Sequence, residues 1–179
     1  MSSGRLRLVP RTHEKGSRDS GVSRCTTWFS AWTPASARPA LEVGLAGWVF
    51  RPLDGDALRA AGAHLIGTHD FSAFRSAECQ AASPVKTLHS IGIARHGAYW
   101  RFDFDGNAFL HHMVRNLMGS LVAVGQGTRS PQWLAEVLAA RSRALAARTF
   151  PAAGLYFLGP YYDAALGIPE HTPAFDWLP

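Results

Sequence analysis

Cysteine is scarce in this chain of 179 residues, which contains only Cys25 and Cys79. Two cysteines so far apart have the spacing of neither a metal site nor a redox pair. Long apolar runs are missing too, because no stretch approaches the roughly 18 uninterrupted apolar residues that a spanning helix needs. The first residues lack the apolar core of a secretion signal. These absences predict a protein of the reducing cytoplasm with no membrane segment.

Excess charge is lacking from most of the chain. The formal net charge is +5, but residues 1–38 hold seven basic and two acidic side chains, so residues 39–179 hold 11 of each sign. A basic balance favours a nucleic-acid partner, because contacts to phosphate dominate such binding. Residues 1–37 show no apolar period, and we predict a poorly packed basic segment there, with an RNA contact, a solvated arm or a sequence artefact as the alternatives.

Apolar periodicity returns after residue 50 and predicts a sequence of regular elements. Asp54 is placed to cap the first helix, and Ser130-Pro131 to begin the last one. The predicted elements are a helix from Leu53 to Gly67, a hairpin of Val85–Ala94 and Tyr99–Asp105, helices over Leu110–Val122 and Trp133–Leu145, and a strand at Gly154–Leu158. This order predicts the α+β fold class, a two-layer architecture with helices on one face of a mainly antiparallel sheet.

The loop from His69 to Arg75 combines a histidine, a carboxylate, two aromatic rings, a serine and an arginine. Such side chains can grip phosphates and stack on bases, which favours an RNA contact. In the alternative interpretation, Phe71 and Phe74 belong to the core beneath the loop and Asp70 caps a turn. The composition of the loop does not decide between the two.

The segment from Asn107 to Asn116 places polar groups on a helix whose other face is strongly apolar. Arg115 lies one turn from both His111 and Gly119, so its guanidinium projects beside a residue without a side chain, which leaves room for a closely approaching group. The alternative is a structural salt bridge. His111 and His112 point in different directions, and no histidine pair at i, i+4 is present, so we predict no metal site.

Four runs of residues, in this order and at about this separation, resemble successive motifs of the tRNA pseudouridine synthase A family. They are His69-Asp70-Phe71-Ser72-Ala73-Phe74-Arg75, Ser83-Pro84-Val85-Lys86-Thr87-Leu88, Asn107-Ala108-Phe109-Leu110-His111-His112-Met113-Val114-Arg115-Asn116 and Gly154-Leu155-Tyr156. The resemblance extends from Arg38 to the strand after Gly154. It implies a C-terminal domain over residues 38–165, followed by a tail over residues 166–179.

The resemblance implies an enzyme that isomerises uridine to pseudouridine in the anticodon stem-loop of tRNA, without cofactor or catalytic metal. Such enzymes work as homodimers, with an active cleft between two similar α+β domains. The target base must leave its stem, so residues that stack and grip phosphate are required. The resemblance makes Arg115 the partner of the catalytic aspartate, and it implies that RNA is bound by His69, Phe71, Arg75, Asn107, His111 and His112.

The catalytic aspartate of the family sits in a Gly-Arg-Thr-Asp-Ala-Gly-Val-His motif of the first domain. The nearest match is Gly16-Ser17-Arg18-Asp19-Ser20-Gly21-Val22-Ser23, so Asp19 is the candidate nucleophile, with a solvated aspartate as the alternative. The arginine is displaced by one position, the threonine and histidine are absent, and the family's base-packing tyrosine has no counterpart. We therefore predict a truncated, deleted or frame-shifted product, with a non-catalytic RNA-binding or dimerisation fragment, or an unrelated α+β protein, as alternatives.

Overall fold

The elements below come from a computed structural model, which describes residues 22–31, 43–161 and Gly167. They are strands β1 (Val22–Ala31) and β2 (Gly47–Val49), helix α1 (Gly55–Ala63), strands β3 (Gly67–Asp70), β4 (Val85–His96) and β5 (Tyr99–Gly106), helices α2 (Met113–Gly125) and α3 (Pro131–Ala140), and strand β6 (Leu155–Tyr161). Two short 3-10 helices lie at Ser72–Phe74 and Arg143–Leu145.

The six strands form one sheet in the order β2–β1–β5–β4–β3, with β6 also paired to β1. β6 pairs with the first half of β1 and β2 with its last three residues, so both occupy the side of β1 that faces away from β5. Only β1 and β2 run parallel, and the remaining pairs are antiparallel. The prediction of a mainly antiparallel sheet is confirmed.

The core lies between this sheet and the helices. Residues of alternate positions on β5 point to the helical layer, because successive side chains of a strand face opposite ways. Burying a large apolar side chain contributes about 1.5–3 kcal/mol, so this layer supplies most of the stabilisation. Its members, all at most 6% exposed, include Trp100, Phe102 and Phe104 of β5, Leu58 of α1, and Leu117 and Leu121 of α2. The predicted α+β class is therefore confirmed.

The helix boundaries follow their caps. The Asp54 carboxylate accepts hydrogen bonds from the Asp56 and Ala57 amides at 2.8 and 3.1 Å, and Ser130 caps α3 as predicted. However, α2 begins at Met113 rather than Leu110, because His112 adopts a left-handed conformation with φ 60°. The last predicted helix also ends earlier, at Ala140. Leu145 lies instead in a 3-10 turn and is 55% exposed.

Strand β1 corrects one prediction. Residues 1–37 were expected to contain no regular element, yet residues 22–31 form a strand with neighbours on both sides. Apolar and polar residues alternate only weakly in its sequence, because serine and threonine occur at both odd and even positions, and pairing with β5 and β6 provides the order that periodicity does not reveal. The predicted boundaries after residues 37 and 165 stay predictions. Within the described residues, no helix is long and apolar enough to cross a membrane.

Candidate active site

Arg115, the arginine singled out in the sequence, lies in the first turn of α2 and is half-buried. Its Nε donates a hydrogen bond of 2.8 Å to the Phe150 carbonyl, and its Nη1 lies 3.1 Å from Nε2 of His112. The Phe150 amide in turn donates to the Arg115 carbonyl at 3.0 Å. Two fixed contacts on different nitrogens therefore define the plane of the guanidinium.

The charge of Arg115 is not neutralised within the described part of the chain. No described carboxylate forms an ion pair with it, and its Nη2 has no hydrogen-bond partner there. The alternative of a structural salt bridge is therefore not realised among these residues. Because the first amides of a helix also lack intrahelical acceptors and carry partial positive charge, this end of α2 favours an anionic group.

His111 and His112 were expected to point in different directions, but they stack on each other immediately before α2, with ring centroids 4.0 Å apart. The His111 ring is exposed, whereas the His112 ring is half-buried. Burial lowers the pKa of His112, the charges of His111 and Arg115 lower it further, and Glu78 opposes the change. His112 is therefore neutral at pH 7, which allows it to accept a hydrogen bond from Arg115.

Gly119, one turn after Arg115, provides room for a close approach, but the chain itself fills that room. The carbonyl of Arg148 lies where a side chain at residue 119 would begin, so a Cβ there would overlap its oxygen. The segment before β6 thus crosses directly over α2. The sequence correctly predicted a close approach at this position, and the structure identifies the approaching group as backbone.

A cluster of hydrogen bonds around Asn116 holds this crossing segment against α2. This cluster was not predicted from the sequence. The Asn116 side chain is 1% exposed, donates to the Phe74 carbonyl at 2.8 Å, and accepts from Thr149 Oγ1 and Arg143 Nη2 at 2.6 and 3.2 Å. Arg143 also donates to the Ala147 carbonyl at 2.9 Å. An asparagine inside a strongly apolar helix was the available signal, because buried polar groups need partners.

The two aromatic rings of the loop after β3 follow the core interpretation rather than the RNA interpretation. Phe71 and Phe74 have no exposed surface, so neither ring offers a face to a base, and this corrects the assignment of Phe71 to RNA binding. Asp70 caps the turn by accepting from the Ser72 hydroxyl and amide at 2.6 and 2.9 Å. The Ser72 hydroxyl bond is the main cause that lowers the pKa of Asp70, and Arg141 adds to it.

The side chains of three other predicted RNA-binding residues make hydrogen bonds to the protein's own backbone. His69 Nε2 lies 2.9 Å from the Ile66 carbonyl, and Arg75 Nη2 donates to the carbonyls of Cys79 and Ala81. Asn107 Oδ1 accepts from the Thr87 amide at 3.0 Å, which prolongs the pairing of β4 with the end of β5. All three side chains are half-buried. They shape the loops beside α2, and of the predicted set only His111 has an exposed ring.

Asp19, the candidate nucleophile, lies outside the described residues. Two residues, Ser20 and Gly21, separate it from Val22, where β1 begins, and the neighbouring Ser23 pairs with Gly106 at the end of β5. The chain continues from Gly106 into the loop that carries His111 and His112. It then enters α2, whose first turn carries Arg115. Among the described residues, no three His, Cys, Asp or Glu side chains are grouped so that they could hold a metal ion.

The sequence of this chain is similar to those of several known proteins. A tRNA pseudouridine synthase A from Methylibium petroleiphilum is 73% identical over 142 residues, which cover 79% of this chain and 55% of the relative. Relatives of the same description from Polaromonas naphthalenivorans and Delftia acidovorans are 54% and 55% identical, over 95% and 79% of this chain and 65% and 58% of their own lengths.

The chain thus spans between 55% and 65% of the length of these relatives. A family model described as tRNA pseudouridine synthase matches residues 61–163, a range that contains the loop after β3, the paired histidines, Arg115 and the segment that crosses α2. On these grounds the chain belongs to the tRNA pseudouridine synthase family.

Proposed function

We propose that this chain is the tRNA-handling part of an enzyme that isomerises uridine to pseudouridine in the anticodon stem-loop of tRNA. The observation that carries this proposal is the arrangement of Arg115. Neutral acceptors hold two of its nitrogens, and Nη2 has no partner in the described part of the chain. A guanidinium in this state, at the N-terminus of a helix, suits a carboxylate or a phosphate.

The chemical use of Arg115 in this proposal is to pair with the catalytic aspartate. An adjacent guanidinium lowers the pKa of a carboxyl group and fixes its orientation, which keeps a nucleophilic carboxylate ionised in a desolvated cleft. Asp19 is the candidate for that role. Its support is positional, because Val22 begins β1 beside the end of β5, and β5 leads into the loop before Arg115.

The RNA side of the proposal rests on exposed and half-exposed groups near Arg115. His111 presents an exposed ring, while His69, Arg75, Asn107 and His112 are half-buried and frame the loops around it. Stacking and phosphate contacts of this kind are what an extruded base and its strand require. The proposal includes a cytoplasmic homodimer, as the family resemblance implies, and requires no cofactor.

We further propose that the chain by itself is an incomplete form. Incubated with unmodified tRNA transcript, it is expected to produce little or no pseudouridine, because no described carboxylate lies beside Arg115. The measurement is nucleoside analysis of the digested tRNA, with the full-length Methylibium relative as positive control. Robust product formation that disappears in Asp19→Ala would contradict this expectation and make Asp19 the nucleophile.

The second candidate function is a non-catalytic RNA-binding or dimerisation fragment. The charge of Arg115, which no carboxylate of the described residues neutralises, also favours this function, since such a guanidinium can bind phosphate. Binding of tRNA without turnover supports this function. Self-association without tRNA binding supports dimerisation alone, and sedimentation of the chain with and without tRNA separates the two.

Arg115→Ala is expected to weaken tRNA binding by about tenfold, because a hydrogen-bonded charge contributes roughly 1.5 kcal/mol. Fluorescence anisotropy at fixed salt measures this change, at a temperature where both proteins are folded. Arg59→Ala is the matched control, since Arg59 is an exposed arginine of α1 that pairs with Asp56 at 2.7 Å. Equal affinities of the Arg115→Ala and Arg59→Ala variants would exclude a contact between Arg115 and the tRNA and leave only the proposed pairing with the catalytic aspartate.

A further inference from the structure

His112 combines two features that are unfavourable for a residue at the start of a helix. Its backbone is left-handed, with φ 60°, a conformation that is costly for residues with a Cβ. Its side chain also makes no capping hydrogen bond to α2, although serine, threonine, asparagine or aspartate at this position would. This unfavourable conformation has one visible result, which is that the imidazole contacts Arg115.

The hydrogen bond between these side chains has only one possible direction. Arginine carries donors and no acceptor, so His112 Nε2 must accept the bond of 3.1 Å from Arg115 Nη1. The ring is then neutral, with its proton on Nδ1. An imidazolium could not accept this bond and would place a second positive charge beside the guanidinium.

We propose that His112 is a positioning residue for Arg115, which holds the guanidinium in one orientation when its imidazole is neutral and releases it when the ring is protonated. The Phe150 carbonyl fixes Nε at 2.8 Å, and His112 prevents the remaining rotation about the Nε–Cζ bond. Nη2, which carries two N–H donors, is thereby held in one orientation. The use of this orientation rests on the proposed function, but the orientation itself requires neither RNA nor turnover.

The charged and titratable groups around the ring determine its pH range. Burial, the stacked His111 ring and the Arg115 charge lower the pKa of His112, and Glu78 raises it. Because the folded-state pKa lies below the ordinary value of about 6.5, the stabilisation that the folded protein gains from a neutral His112 is complete at pH values above that ordinary pKa. This stabilisation declines as the pH falls from about 6.5 through the lowered pKa, and within the folded protein the orientation of Arg115 is lost around that lowered pKa.

Nuclear magnetic resonance of the arginine side chains in this chain, without RNA, tests the proposal. The Arg115 guanidinium resonances are expected to shift with the same midpoint as the His112 ring. In His112→Leu, rotation about the Arg115 Nε–Cζ bond is expected to be about tenfold faster, because a hydrogen bond from a charged donor is lost. His112→Gln, whose amide oxygen can accept from Arg115, is expected to retain slow rotation without the pH dependence.

His111→Gln is the matched control, because His111 stacks on the same ring but makes no hydrogen bond to Arg115. It should leave the Arg115 rotation unchanged and raise the pKa of His112. Arg115→Gln provides a measurement that does not depend on His112 variants folding, and here too the pKa of His112 is expected to rise. Arg115 resonances independent of pH, or rotation rates equal in the wild type and His112→Leu, would overturn the proposal whether or not the chain binds tRNA.

Discussion

Replacement of Gly119 by alanine is expected to lower the free energy of unfolding by about 3 kcal/mol, a large effect for the addition of one methyl group. The added Cβ would overlap the carbonyl oxygen of Arg148, and neither atom belongs to a flexible side chain that could turn away. The segment over α2 would have to move. Urea-induced unfolding followed by circular dichroism measures the change.

Gly62→Ala is the matched control for this substitution. Gly62 also lies in a helix, but the nearest atom to an added Cβ is Ile93 Cδ1 at 3.5 Å, which is ordinary contact. Alanine is favoured over glycine in helices by roughly 0.5–1 kcal/mol, so Gly62→Ala should leave stability unchanged or raise it. If both variants lost the same stability, the close crossing at Gly119 would not be the cause.

Gly119→Ala also has a predicted consequence for the candidate site. The displaced segment carries the Phe150 carbonyl, the acceptor for Arg115 Nε. Its movement should therefore release the guanidinium from one of its two contacts even where the variant remains folded.

Asn116→Leu is expected to be nearly as destabilising, by about 3 kcal/mol, although leucine has the same branching at Cγ and greater apolarity. The substitution removes one donor and one acceptor from a side chain that is 1% exposed. The Phe74 carbonyl loses its amide donor, and Thr149 and Arg143 lose the oxygen that both approach. Buried groups left without partners then incur their full desolvation cost.

The measurement combines the unfolding free energy with hydrogen exchange of the amides in residues 146–150, which should lose protection. Ser120→Ala serves as a graded control on the same helix. Its buried hydroxyl donates to the Asn116 carbonyl at 3.1 Å and accepts from the Ala147 amide at 3.3 Å, so its loss should cost about 1 kcal/mol. A smaller loss for Asn116→Leu than for Ser120→Ala would contradict the central place of Asn116 in the cluster.

The sequence correctly predicted the helix starts and the hairpin, which depend on interactions between residues close together in the chain. Asp54 and Ser130 cap their helices because a side-chain oxygen can reach the first free amides, an interaction confined to one turn. The hairpin of β4 and β5 follows from the alternation of apolar and charged residues in β5 and from a turn where Gly97 has φ 58°. Strand β1 was missed because its alternation is weak, and its neighbours β5 and β6 are distant in sequence.

The identity of the site residues was likewise predictable from the sequence, but their contacts were not. The motif with His111, His112 and Arg115 was identifiable from its residues, whereas its geometry depends on contacts across long sequence separations. Arg115 binds the Phe150 carbonyl, 35 positions away, and Asn116 binds the Phe74 carbonyl, 42 positions away. Phe71 was assigned to RNA because composition does not distinguish a stacking ring from a core ring, and only its lack of exposed surface does.

By itself, the sequence determined the fold class, the helix caps, the family motifs and the arginine on which the candidate site depends. These features follow from periodicity, capping and residue identity, which act over a few neighbouring residues. The tertiary structure decided that Gly119 lies against the backbone of Arg148, that Asn116 binds the crossing segment, and that His112 accepts a hydrogen bond from Arg115. The physical reason is that buried hydrogen bonds and close contacts depend on which distant segments the folded core brings together.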